Sequence, residues 1–196
     1  MISSAIFSAA AASLIVRLGL LARLHTTRAR NPIRDAVSDY GVGATRQLFE
    51  WMGLAATAGW WLLALGTWIG YPGWSDRGFA FVAFVVIGAT TAAMRFFPTD
   101  LVGAPRTGRG MIHYVLAITQ FALAFSLMGN VTRLLGDPVS GFLRWIALIS
   151  LVGLCVCLIP RLRRTLAVFG LFERVFLISV ACFYLDYATL SMEWFA

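Results

Sequence analysis

The chain of 196 residues contains no lysine; its basic side chains are 16 arginines, set against nine acids, for a formal charge of +7. Charge of either sign is scarce. Only 13% of the residues are charged, where a soluble domain has roughly a quarter, and 60% are hydrophobic at a mean hydropathy of +0.80. That balance excludes a soluble globular domain. Nucleic acid is not an expected partner either, because most of the arginines flank apolar runs instead of forming a basic face. Cysteine is limited to Cys155, Cys157 and Cys182, all within apolar runs, with no CxxC pair and no histidine beside them, so they read as small hydrophobes. The two histidines, His25 and His113, have no second ligand at i+3 or i+4, and neither a metal nor a haem cofactor is expected. Gly108 and Gly110 lack the phosphate-loop pattern and its lysine. No nucleophile elbow surrounds Ser38, which argues against a serine hydrolase.

What is present is six long apolar runs, at residues 2–24, 48–69, 79–97, 111–135, 142–159 and 166–190, each long enough for a helix to cross a hydrocarbon core of about 30 Å. The expected fold is therefore all-α, a polytopic membrane helix bundle with six transmembrane helices in a single domain, residues 1–196. The first run has no basic segment before it and reads as a retained helix, not a secretory signal. Pro98 and Pro160 stop spans three and five, Asp137-Pro138 marks a tight turn, and residues 25–46 form a long polar connection with Asn31-Pro32, Gly41 and Gly43 as breakers.

Arginine placement predicts the orientation. The connections after spans one, three and five, with their flanks, hold Arg23, Arg28, Arg30, Arg34, Arg46, Arg95, Arg106, Arg109, Arg161, Arg163 and Arg164, whereas the other side holds Arg77, Arg133 and Arg144. Both termini are thus expected to be non-cytoplasmic, with Trp68, Trp74, Trp145 and Trp194 as an aromatic belt near that face.

This topology gathers Asp39, Asp100, Arg106, Arg109 and His113 at the cytoplasmic leaflet, together with Asp35, as a candidate site for an anionic or amphiphilic ligand such as a lipid head group. The plainer expectation is that Asp100 caps or bridges loops and His113 snorkels. Charges within spans cost about 2.5 to 3.5 kcal/mol each on insertion scales, so each needs a partner. Matched depths, about 10 to 12 Å from the inner boundary, predict that Arg17 meets Glu173 while Arg174 points elsewhere; Arg144 and Asp186 form a second pair near the other face. Both pairs read as architectural. Gln120, Ser126 and Asn130 are expected to bond to neighbouring helices.

The segments NPIRDAVSDYGVG after span one, RFFPTD closing span three, RGMIHY opening span four and GLFERV in span six resemble the bacterial integral-membrane family catalogued as domain of unknown function 998. The resemblance covers nearly the whole chain, with Ser38 to Gly41, Phe97 to Asp100, and Gly110 with His113 as its most telling parts. It implies a multi-span protein of the bacterial inner (plasma) membrane and no assigned activity. The leading expectation is binding of a membrane lipid or similar ligand. The alternatives are an accessory subunit docked on a membrane-protein partner, and a membrane enzyme using Asp100 with His113 as acid and base.

Overall fold

The structure, a computed structural model, describes residues 1–101, 103–159 and 167–196. Six long helices account for most of them: α1 (Ile2–Thr26), α2 (Arg46–Gly70), α3 (Arg77–Ala93), α4 (Gly108–Leu135), α5 (Pro138–Cys157) and α6 (Phe169–Trp194). Each, with its flanking turns, is long and apolar enough to cross a membrane. The protein is a membrane-spanning helical bundle, and no strand occurs among the described residues.

Local chemistry sets the helix ends. Thr107 caps α4 by accepting the Gly110 N–H at 3.0 Å, and Gly136, with φ of 63°, closes that helix in the left-handed conformation that glycine adopts without strain. Asp137 caps α5 through the Ser140 N–H at 2.8 Å, and Pro138 occupies the first turn, where its missing N–H does not matter. Helix α3 gives way to a single 3-10 turn, Met94–Phe96, ahead of Pro98. The Pro160 stop, the arginines Arg161, Arg163 and Arg164, and the expected start of span six at Leu166 lie outside the described residues.

Phe7 of α1 stacks on Phe195, just beyond α6, with centroids 6.1 Å apart, so both termini share one end of the bundle. This is the terminal end; connections 27–45 and 97–107 lie at the opposite, loop end. Trp68, Trp145 and Trp194 are exposed on the helices toward the terminal end, where amphipathic rings favour a membrane interface.

Half of the apolar window is buried in α2 and α6 against 22 to 28% in the other four helices, which makes α2 and α6 the centre. Phe176, Val180, Phe183, Tyr184, Tyr187, Ala188 and Ser191 recur at helical spacing on the buried face of α6. Lipid is as apolar as leucine, so close packing and satisfied polar groups hold such helices together. Each buried tyrosine hydroxyl on this face has a partner: Tyr187 bonds Thr67 at 2.8 Å, Tyr184 donates to the Ala124 carbonyl at 2.7 Å, and Tyr71, beyond α2, meets Ser191 at 2.8 Å.

Connection 27–45 is folded against the start of α6. Asn31 and Asp35 close local turns, with Asp35 Oδ2 accepting the Asn31 N–H at 2.7 Å. Leu171 N–H donates to the Ile33 carbonyl at 3.0 Å, Val37 N–H to Glu173 Oε2 at 2.6 Å, and Arg174 Nη1 to the Asp35 carbonyl at 2.6 Å. The approach requires Gly170, because a Cβ there would collide with the Asp35 carbonyl oxygen. Gly170→Val should therefore undock the connection and destabilise the fold by about 1 to 3 kcal/mol. The checks are a lowered thermal midpoint in detergent and faster tryptic cleavage after Arg28, Arg30 or Arg34.

Candidate functional site

A cavity of about 510 Å³ lies within the bundle, reached by residues of all six helices and by Arg34 and residues 36–39 of the first connection. It falls in the size range of small-molecule sites. Helix α4 explains why the space exists. At the loop end α4 is tied to the α3 side by the His113 bond to the Phe97 carbonyl, and at the terminal end Asn130 bonds Asp76 at 2.9 Å. Between them Tyr184 reaches across to Ala124. On the loop side of that strut the α4 residues facing inward include Ala117, too short to fill the gap to α5 and α6.

The lining has two characters. Toward the loop end it is polar, with Arg34, Ser38, Asp39, Glu50, Arg95, Thr99, Asp100 and His113. Along α4, α5 and α6 it is apolar, with Phe121, Leu151, Leu154, Phe176 and Val180. Arg17 enters from α1 beside Trp60, its guanidinium carbon 5.9 Å from the ring centroid.

Each lining carboxylate is engaged within the chain. Asp39, 5% exposed, accepts the Ala36 N–H at 3.1 Å. Glu173 takes the Val37 N–H, and Glu50 pairs with Arg46 at 2.8 Å. Asp100 receives the Thr107 N–H at 2.7 Å and the Thr107 hydroxyl at 2.8 Å, with its carboxylate over Gly110 where any Cβ would clash. It thus braces the cap of α4. His113, 4% exposed, bonds the Phe97 carbonyl through Nδ1 at 2.8 Å. A carbonyl can only accept, so Nδ1 carries the proton. No hydrogen bond joins Asp100 to His113, each bonding its own partner in connection 97–107. Among the described residues no group of three His, Cys, Asp or Glu could hold a metal ion.

Of the residues expected to form the site, Asp39, Asp100 and His113 share the cavity wall. Arg106 and Arg109 do not; they are exposed on the first turn of α4 and just ahead of it, outside the lining. Arg34 and Arg95 line the rim in their place. Arg95 was legible as the last charge before Pro98, whereas Arg34 reaches the rim only through the docking of its connection on α6.

The expected ion pairs do not form. Helix α1 runs two residues past the end assigned to span one, and α6 begins three residues after that assigned to span six. Counted from the observed ends at 1.5 Å per residue, Arg17 lies about 13 Å deep but Glu173 only about 6 Å. Glu173 therefore meets the first connection, and Arg17 makes no hydrogen bond or ion pair with a described residue, its Nη1 being buried without a partner. Arg174 does point elsewhere: Nε donates to His25 Nε2 at 2.7 Å. Arg144 and Asp186 match in depth but not in direction. The Arg144 guanidinium lies against Gly129 and Phe125 of α4, and Asp186 lies beside the Asp137 carboxylate that caps α5. Gln120 accepts from Thr91 at 3.1 Å across the α3–α4 contact, as expected of a polar residue in lipid.

The backbone and hydroxyl bonds from Thr107, with the Arg106 and His113 charges adding to them, hold the Asp100 carboxyl below the usual carboxylate range. A carboxyl with a depressed folded value supports the fold above its unfolded pKa of about 3.9, and that support is lost as pH falls through the folded value. Asp100→Asn should lower the thermal midpoint at neutral pH, and the gap to wild type should close on acidification below about pH 4. Unfolding curves from pH 7 to pH 3 check this.

The family model described as "Protein of unknown function (DUF998)" matches residues 9–189, which takes in part or all of each of the six helices. No curated protein and no solved structure matches the chain. A match over that length, on a bundle whose six helices can each span a membrane, shows that the chain belongs to this family of membrane-spanning proteins of unknown function.

Proposed function

We propose that the protein binds an anionic amphiphile, a membrane lipid or a molecule of like shape, in the cavity between α4 and the rest of the bundle. The observation that carries this reading is the division of one wall into a polar zone at the loop end and an apolar zone along α4, α5 and α6. A chain would lie against Phe121, Leu151, Leu154 and Phe176, and the polar head would face Asp39, Asp100 and His113 at the rim. Arg34 and Arg95 supply the positive rim; Arg106 and Arg109, outside the lining, add to the attraction of anions toward it. The arginine excess at the loop end supports a cytoplasmic position for that end in a bacterial plasma membrane, with both termini on the other side. A lipid of the cytoplasmic leaflet then reaches the rim without crossing the bilayer.

The test fills the apolar zone without touching the rim. Wild-type protein purified in mild detergent should carry a lipid-sized adduct in native mass spectrometry. Ala117→Trp and Leu154→Trp should lose at least nine-tenths of it while remaining monodisperse. Equal adduct occupancy in wild type and both variants would sink the proposal.

A further inference from the structure

Arg17 stands apart from every other charged group on the cavity wall. The lining carboxylates accept backbone, hydroxyl or guanidinium donors, and Arg34 and Arg95 are exposed to solvent. Arg17 has five N–H donors and no hydrogen bond to a described residue, and its Nη1 is closed off from solvent. Its depth, about 13 Å from the end of α1, is close to the middle of a hydrocarbon core of about 30 Å. An unpaired charge there is strongly unfavourable and marks a ligand or ion path.

No counterion comes from the chain itself. All nine acids are among the described residues, none pairs with Arg17, and residues 102 and 160–166 include no carboxylate. Trp60, 3% exposed, lies by the guanidinium at cation–π range and holds it toward the cavity. A guanidinium so placed offers a planar fork that matches two oxygens of one anion.

We infer that Arg17 receives the oxyanion of the ligand, a carboxylate or phosphate presenting two oxygens, at mid-membrane depth, past the rim whose arginines draw the anion in. This rests on the amphiphile reading of the cavity and assigns the place of its charge. The oxyanion supplies the missing counterion, and Arg17 discriminates charged from neutral amphiphiles of the same chain length.

The experiment uses the full chain in an uncharged detergent and four probes: oleate, monooleoyl phosphate, oleyl alcohol and inorganic phosphate. Binding is measured by calorimetry for wild type, Arg17→Gln and Arg17→Lys. Oleate or monooleoyl phosphate should bind wild type, bind Arg17→Gln at least tenfold more weakly and fall between for Arg17→Lys, which keeps the charge without the fork. Oleyl alcohol should bind wild type and Arg17→Gln alike. Without ligand, Arg17→Gln should unfold at or above the wild-type temperature, since it removes an unpaired buried charge, and the oleate-induced rise in midpoint should disappear. Equal affinity of wild type and Arg17→Gln for both anionic probes overturns the assignment of Arg17 and leaves the cavity reading standing. A ligand-free Arg17→Gln protein that unfolds well below wild type overturns it too, by showing a structural role. Failure of all three chain-bearing probes to bind wild type overturns the amphiphile reading itself. If inorganic phosphate alone binds with the same Arg17 dependence, Arg17 is an anion receptor but its ligand is a solute and not a lipid.

Discussion

Two adjacent side chains on α6 hold the loop end of the bundle in place. Glu173 and Arg174 project about 100° apart around the helix, so one accepts the Val37 N–H while the other donates to the Asp35 carbonyl and to His25. Both are nearly buried, at 7% and 5% exposure, where an unmet donor or acceptor is destabilising. The pair therefore converts a polar connection into part of the bundle wall. The placing of Arg34, Ser38 and Asp39 on the cavity follows from it, and so does the burial of Tyr40, over whose ring Arg174 lies at 5.8 Å.

The number, order and approximate ends of the helices were legible in the sequence, because a run of some twenty apolar residues bounded by proline, glycine and charge has few other fates. The charged contacts were less so. The span bounds placed Glu173 at the depth of Arg17, although the observed helix ends separate them by several ångströms. The docking of connection 27–45 could not be read locally, since its decisive bonds join residues more than 130 positions apart. Asp100 and His113, candidate residues in the sequence, both line the cavity. The bonds to Thr107 and Phe97 that occupy them depend on how connection 97–107 folds back, which composition does not reveal.

The wall chemistry divides into groups that build the cavity and groups left over for an occupant. Asp39, Glu50, Asp100 and Glu173 belong to the first kind, for each satisfies a donor of its own chain. Their negative charge is thereby placed against backbone amides, a hydroxyl and a guanidinium. The field left to a guest is set more by the arginines than a count of lining charges suggests. On the proposed reading, the guest this arrangement suits is an anion.

Trp60 gives the bundle an optical property. It is buried at 3% exposure, whereas Trp74 is half-buried against the core and Trp51, Trp61, Trp68, Trp145 and Trp194 are exposed on the bundle surface. It stands edge to face with Tyr184 at 5.0 Å and beside the Arg17 guanidinium on the cavity wall. Tyrosine excitation on α6 passes to it over a distance where energy transfer is near complete, and its emission responds to the nearest charge. A guest in the cavity would therefore change the intrinsic fluorescence of the unlabelled protein at Trp60, and Trp60→Phe would remove that change.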